Sequence, residues 1–126
     1  MANEIITNKA REKMAKARAG DITLSKVVKM AFGSGGVDTN GIPIAPTATD
    51  IALKAESLRK DIDSHTFSIA TTCTYSCKLL KTDIPNINVN EIALVDADGD
   101  LVAIKTFGNK FKDADMEMVF QIDDIF

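Results

Sequence analysis

Three aspartates at alternate positions, Asp96, Asp98 and Asp100, are the best candidate for a metal site in this sequence. An EF-hand loop also spaces its acids at alternate positions, and calcium prefers such carboxylate oxygens. That loop, however, has about 12 residues between two helices and ends in a glutamate, whereas strand-like apolar runs flank these aspartates. Asp98-Gly99 is typical of a hairpin turn. We therefore predict a turn here, and a small calcium- or ligand-binding module remains as an alternative function.

Histidine and cysteine give the other candidates for catalysis or metal binding. His65 is the sole histidine, and no nucleophile in a recognisable elbow lies near it, so we expect a surface or strand-edge residue. His65, Cys73 and Cys77 together do not have the sequence spacing of zinc ligands. In an extended segment these two cysteines would be about 13 Å apart, too far for a disulfide. We predict reduced thiols, with a disulfide across a hairpin as the alternative, and no enzyme activity, metal or cofactor.

A glycine-rich run at residues 33–36, Gly-Ser-Gly-Gly, follows a strand-like segment, as phosphate-binding loops do. No Gly-Lys-Ser/Thr follows it and no helix opens directly from it, so we interpret it as a flexible turn. It begins the one long irregular stretch of the chain, which reaches Pro46. Loops of this length inside a domain are usually functional or mobile.

One domain, residues 1–126, must position all of these groups. With 45% hydrophobic and 26% charged residues, the composition is that of an ordinary soluble globular domain. No stretch approaches the roughly 20 apolar residues of a membrane span, and the N-terminus lacks a secretory signal, which predicts synthesis in the cytoplasm. The net charge of −3 gives no reason to expect a nucleic-acid partner.

The charge is distributed unevenly along the chain. Residues 1–30 hold seven basic and three acidic side chains, a net +4, whereas residues 83–126 hold three basic and ten acidic side chains, a net −7. Such a split could steer docking between subunits. The alternative is that both regions are solvated faces with no partner.

Two helices are predicted in the first half of the chain. Thr7 is a suitable N-cap for the first, with Ala10, Met14 and Ala17 at helical spacing and Gly20 as its stop. The second helix is expected from the capping residues at 47–50 to about Lys60. Between them, residues 24–32 alternate in polarity as a strand does.

Strands dominate the second half. Residues 65–82 are rich in β-branched side chains and form either a hairpin or one long strand. Residues 91–95 and 101–104 flank the aspartate turn as a hairpin, and residues 116–122 alternate as a final strand. Because short connections imply antiparallel pairing, we predict an α+β fold, with an N-terminal helix and a second short helix packed on a small antiparallel sheet or sandwich.

Three segments in this order resemble the N-terminal domain of the phage tail-collar fibre family. They are residues 6–8 (Ile-Thr-Asn), residues 31–36 (Ala-Phe-Gly-Ser-Gly-Gly) and residues 91–104, which begin Glu-Ile-Ala-Leu-Val-Asp. The third is the most specific, since the family typically has Glu-Ile-Gly-Leu-Phe-Asp, an Asp-Gly turn and a second apolar strand there. Residues 52–56 also look like the family's Leu-rich helix.

The resemblance implies a structural protein, without enzyme activity, that anchors or positions fibres at the tail or baseplate of a phage or of a phage-tail-like particle such as a tailocin with a contractile tail. Ala93 stands where the family usually has glycine. Family members usually continue into a fibre shaft, whereas this sequence stops at Phe126, so a separate baseplate-to-fibre adaptor is expected. A fibre-assembly chaperone is a further alternative.

The expected partners are other tail, baseplate or fibre subunits within the virion or particle, and the threefold symmetry of tail fibres implies a homotrimer. A buried phenylalanine contributes about 1.5–3 kcal/mol, which a free C-terminal tail would not use. We therefore expect the final strand and the glycine-rich loop to contact partners. The candidate partner-binding residues are Val37, Ile42, Ile44, Met116, Met118, Phe120, Ile125 and Phe126.

Overall fold

The computed structural model describes residues 3–126, which form eight β-strands and one α-helix. The α+β prediction with two helices is therefore wrong, because these residues are mostly β. No helix among them is long and apolar enough to cross a membrane. In chain order the elements are β1 (Glu4–Ile6), α1 (Asn8–Arg18), β2 (Val27–Gly33), β3 (Glu56–Asp61), β4 (Ser64–Ile69), β5 (Thr72–Leu79), β6 (Ile87–Asp96), β7 (Leu101–Lys112) and β8 (Met118–Ile125).

The strands form two antiparallel sheets. One has the order β1-β7-β6-β2-β3 and the other the order β4-β5-β8. β6 and β7 form the hairpin predicted around the aspartate turn, with Ala93 opposite Ile104. The predicted final strand is β8, which pairs with β5 along its whole length.

The two sheets pack face to face around one apolar core. Phe32 of β2 meets Phe120 of β8 edge to face with ring centres 5.4 Å apart, and Phe107 of β7 stacks on Phe120 at 5.9 Å. Aromatic pairs of this geometry stabilise a core beyond their buried area. The remaining buried members are Met30, Cys77, Leu79, Val89, Ile92, Leu94, Ala103 and Ile122.

The other face of the five-stranded sheet is also covered, by α1 and by the chain around Leu53. A second buried cluster lies there, made of Ala31, Leu53, Ala93, Val95, Leu101 and Ile104. Since both faces of β6 are covered, the strand is buried from Val89 to Asp96. This explains why its apolar run is continuous rather than alternating.

The first helix is confirmed, with Thr7 as its N-cap. The buried Thr7 hydroxyl accepts a hydrogen bond from the Ala10 amide at 3.1 Å and donates one to the Leu101 carbonyl at 2.6 Å, so the cap also fastens α1 to β7. Gly20 follows the helix at a φ of +86°, a left-handed conformation that glycine adopts without strain.

The second predicted helix, from the capping residues at 47–50 to about Lys60, is absent from the structure. Thr47 and Asp50 close a turn instead, in which the Thr47 amide donates to Asp50 Oδ2 at 2.9 Å and the Asp50 amide donates to the Thr47 carbonyl at 3.0 Å. From Glu56 the chain is strand β3, paired with β2. The helix expected at residues 52–56 from the family resemblance is wrong for the same reason.

Residues 65–82 form a hairpin, the first of the two predicted alternatives. β4 and β5 are joined through Ala70 and Thr71. Cys73 and Cys77 lie on the same strand and are buried as free thiols, as predicted.

Candidate functional site

The aspartate turn between β6 and β7 is a hairpin loop closed by its own first residue. Asp96 and Asp100 bracket the loop, with the Asp96 amide donating to the Asp100 carbonyl at 2.9 Å. One oxygen of the Asp96 carboxylate accepts from the amides of Asp98 and Asp100, each at 3.0 Å. Gly99 has a φ of +87°, as the left-handed position of a three-residue hairpin loop requires. The turn prediction is confirmed.

The three aspartate side chains converge around a lysine from α1. Their oxygens lie within 4.8 Å of one another, and Lys13 Nζ lies 2.7 Å from Asp96, 3.0 Å from Asp98 and 2.6 Å from Asp100. The ammonium thus contacts the same three carboxylates that a metal ion would use. This arrangement favours a structural ion cluster that fastens α1 to the hairpin over the calcium-module alternative.

The electrostatics of this cluster favour the charged forms of both Lys13 and Asp98. Burial acts to lower the pKa of Lys13, but the hydrogen bonds that its ammonium donates to Asp100, Asp96 and Asp98 outweigh burial and hold the pKa above its ordinary value of 10.5. Hydrogen bonds that the Asp98 carboxylate accepts from Ser25 and Lys13 lower its pKa below the ordinary value of 3.8. The lysine contribution is complete below pH 10.5 and is lost as the pH rises through the raised folded value. The Asp98 contribution is present above pH 3.8 and is lost as the pH falls through the lowered folded value.

Replacing Lys13 with methionine is expected to lower the free energy of unfolding by about 1–3 kcal/mol, because the buried Asp96 carboxylate loses its charged donor. The loss should be constant between about pH 5 and pH 9 and should shrink in acid, as the pH falls through the lowered pKa of Asp98. Urea unfolding at several pH values measures both effects.

The control for this variant is Lys16→Met, which removes an exposed pair with Glu12 on the same helix and should change stability by about 0.5 kcal/mol or less. Calcium binding to the native fold would raise its midpoint of thermal unfolding. We expect no such rise for the native protein, and a clear rise would contradict the structural interpretation of the cluster.

The glycine-rich run is held by a buried glutamate, Glu91 of β6, which is 2% exposed. Its carboxylate accepts three backbone hydrogen bonds, from Gly35 at 2.8 Å, from Lys54 at 3.0 Å and from Ala55 at 2.8 Å. These amides are the kind of donors that a phosphate loop offers to its ligand. Here the protein's own carboxylate uses them, so this geometry does not support phosphate binding.

Asn90, which precedes Glu91 in β6, holds the other end of the glycine-rich run. Its side-chain oxygen accepts from the Gly36 amide at 2.7 Å, and its amide nitrogen donates to the Ser34 carbonyl at 3.2 Å and to Asn109 Oδ1 at 2.9 Å. A Cβ on Gly36 would lie 2.3 Å from the Asn90 carbonyl oxygen. The glycines therefore serve close packing, which differs from the flexible turn expected from sequence.

The long loop after the glycines is anchored at both ends. Val37 forms an isolated antiparallel β-bridge with Pro43. The Ile44 amide donates to the Gly36 carbonyl at 2.8 Å, and the Thr106 hydroxyl donates to the Ile44 carbonyl at 2.8 Å. Val37 and Ile44 are half-buried, whereas Ile42 at the tip is 59% exposed. Of the three candidate partner-binding residues in this loop, Ile42 is the one most open to a partner.

The candidate residues in and beside β8 divide between the core and the surface. Met118 and Phe120 point into the core between the sheets, and Phe120 is 6% exposed. Met116, Ile125 and Phe126 are exposed. The structure thus separates them into two core residues and three surface residues, a distinction that the sequence pattern did not make.

The potential nucleophiles are poorly placed for catalysis. Burial, the largest cause, raises the pKa of Cys77 to about 11, whereas a reactive cysteine needs a lowered pKa. His65 is exposed on β4, with its ring centre 5.8 Å from that of Tyr75. Neither group belongs to a nucleophile and base pair among the hydrogen bonds of residues 3–126.

Strand β4 presents exposed apolar side chains that sequence reasoning missed. Phe67 and Ile69 lie on this edge strand, and all six of its residues are exposed. The available signal was the absence of charge, because no Asp, Glu, Lys or Arg lies between Asp63 and Lys78. Edge strands are commonly protected from pairing by charged residues or proline, so this unprotected edge is a further candidate contact surface.

Comparison with known proteins gives one match. The family model described as phage tail-collar fibre protein, N-terminal, matches residues 1–121. No curated protein and no solved structure matches the chain. The matched range contains Glu91, the glycine-rich run and the aspartate turn.

Proposed function

Because the chain belongs to the phage tail-collar fibre protein family, matching its N-terminal domain over residues 1–121, we propose that it is a baseplate or tail-fibre adaptor that anchors or positions fibres in a phage tail or phage-tail-like particle. The observation that carries this proposal is the family match. In this role the domain is a non-enzymatic structural component of the particle.

The surface supports a role in contacts with other subunits. Ile42, Met116, Ile125 and Phe126 are exposed apolar side chains on two segments that the fold holds in place. We assign the partner contact to these residues, together with the half-buried Val37 and Ile44. Met118 and Phe120 support the strand from inside the core.

A serine substitution at Ile42, combined with deletion of the two C-terminal residues, tests this assignment. Ile42→Ser combined with deletion of Ile125 and Phe126 should leave the isolated domain folded, since these side chains are largely exposed. Incorporation into particles should fall by about tenfold or more, because each lost apolar contact is worth about 1.5–3 kcal/mol and 1.4 kcal/mol is tenfold in affinity. Quantitative mass spectrometry of purified particles measures the amount incorporated.

A matched control is Ile51→Ser, which removes an equally apolar side chain that is 81% exposed outside the two candidate segments. It should be incorporated like the native chain. Equal incorporation of the combined variant would show that the partner contact lies elsewhere. The native chain's absence from intact particles would contradict the structural role and would favour a fibre-assembly chaperone.

We further propose that the domain acts as a homo-oligomer, with the trimer as the state that the family resemblance implies. The split between a basic first quarter and an acidic last third supports contacts between copies through unlike charges. Partners in the particle are then other copies of the domain and other tail, baseplate or fibre subunits.

A further inference from the structure

Helix α1 presents a basic face that the domain itself does not use. Arg11 and Arg18 line a shallow depression together with Met14, Ala15 and Ala19. The two arginines are seven residues apart, about 10.5 Å along the same side of the helix. Among residues 3–126 neither arginine forms a salt bridge, whereas Lys13 and Lys16 of the same helix do.

The helix is a rigid platform for this face. It buries only Ala10 among its described residues, yet Thr7 fixes its start to β7 and Lys13 fixes its middle to the aspartate turn. Arginine is enriched in the buried centres of protein interfaces because its guanidinium binds carboxylates through two donors at once. Two of the chain's three arginines lie on this one exposed helix face.

The complementary surface lies in the connection between β7 and β8. Asp113 and Asp115 are exposed there and form no salt bridge with any residue of 3–126. Met116 beside them is 39% exposed. Like the α1 face, this connection places two charged side chains beside a methionine, but here the charges are acidic. Glu117, its last residue, pairs with Lys78.

The two surfaces lie toward opposite ends of strand β7. β7 begins at Leu101, which contacts the Thr7 cap of α1, and ends at Lys112, directly before Asp113. Eleven steps along a strand span up to about 36 Å. Unlike charges at the two ends of one rigid strand are suited to a contact between two molecules.

We propose that the Arg11–Arg18 face of α1 binds the connection at residues 113–117 of a second copy of this chain, in a head-to-tail contact. Arg11 and Arg18 pair with Asp113 and Asp115, and the methionines beside them pack together. Such a heterologous contact uses different surfaces on the two copies and, when repeated, closes into a ring if the rotation allows. The proposal rests on the assembly part of the proposed function and extends it to named surfaces.

Charge reversal on the purified full chain tests the contact. R11E/R18E and D113R/D115R each place like charges at the interface, so the dissociation constant measured by sedimentation velocity should rise by about tenfold or more. The fourfold variant R11E/R18E/D113R/D115R restores unlike charges and should associate again. The control K29E/K54E changes the net charge by the same amount as R11E/R18E at positions on β2 and just before β3, outside both surfaces, and should associate like the native chain.

The expected results distinguish the contact between copies from attachment of the domain to the particle. Raising the salt to about 1 M should weaken association of the native chain and of the fourfold variant alike, since charges are then screened beyond about 3 Å. A native chain that stays monomeric at every concentration, or a fourfold variant that does not recover, would overturn the proposed contact. Incorporation into particles, measured with the Ile42 and Ile125 variants, tests the attachment role independently.

Discussion

Glu91→Ala is expected to lower the free energy of unfolding by about 3–5 kcal/mol, a large part of the total stability of a domain this size. The reason is that three backbone N–H groups, of Gly35, Lys54 and Ala55, donate to this one buried carboxylate. These bonds are part-buried, and each hydrogen bond to a charged group contributes about 1.5–3 kcal/mol. Urea unfolding followed by circular dichroism measures the loss of stability.

Glu91→Gln separates the hydrogen bonds from the packing of the side chain. Its amide oxygen can replace Oε2, which accepts from Gly35 and Ala55, but its NH2 group then faces the Lys54 amide donor. We expect about half of the loss seen with alanine. Hydrogen exchange should show faster exchange at the Lys54 amide in both variants.

Glu117→Ala is the matched control for these variants, because this glutamate is exposed and its one ion pair within residues 3–126, with Lys78, is 3.8 Å long. It should change stability by about 0.5 kcal/mol or less. If Glu91→Ala were as mild as the control, the carboxylate would not be the group that holds the glycine-rich run.

The elements that follow from local signals were predictable from the sequence. The α1 helix has a capping threonine and a glycine stop, and the β6–β7 hairpin has an Asp-Gly turn between two apolar runs. The final strand alternates strictly, and Phe120 and Ile122 occupy its inner face as that alternation requires. In each case residues near in sequence determine the structure.

The second helix was not predictable, because a distant residue decides the conformation there. Residues 47–62 have a helical spacing of apolar side chains, but the amides of Lys54 and Ala55 are taken by Glu91, 37 and 36 positions away. The Ala55 carbonyl likewise accepts from Ser34. Tertiary hydrogen bonds of this kind override a weak helical pattern.

The aspartate turn shows the same limit for the candidate site. Its carboxylates were identified from sequence, yet Lys13 lies 83 positions from Asp96 and belongs to a helix whose charged residues look solvent-exposed in the pattern. The sequence predicts where the acidic oxygens are. It does not predict that an ammonium group of the same chain lies among them.

Gly36→Ala is expected to destabilise the domain by about 3 kcal/mol, the upper end of the usual cost of overpacking. The added Cβ would lie 2.3 Å from the carbonyl oxygen of Asn90 and 2.9 Å from its carbonyl carbon. These are backbone atoms at a buried point of β6, and the Asn90 side chain is itself hydrogen-bonded to Gly36, Ser34 and Asn109, so they cannot move aside at low cost. Gly108→Ala is the matched control, since a Cβ there meets no heavy atom within 4 Å, and it should be neutral or stabilising by about 0.4–1 kcal/mol. The difference in urea midpoint between the two alanine variants measures the effect, and equal midpoints would show that residue 36 does not need to be glycine.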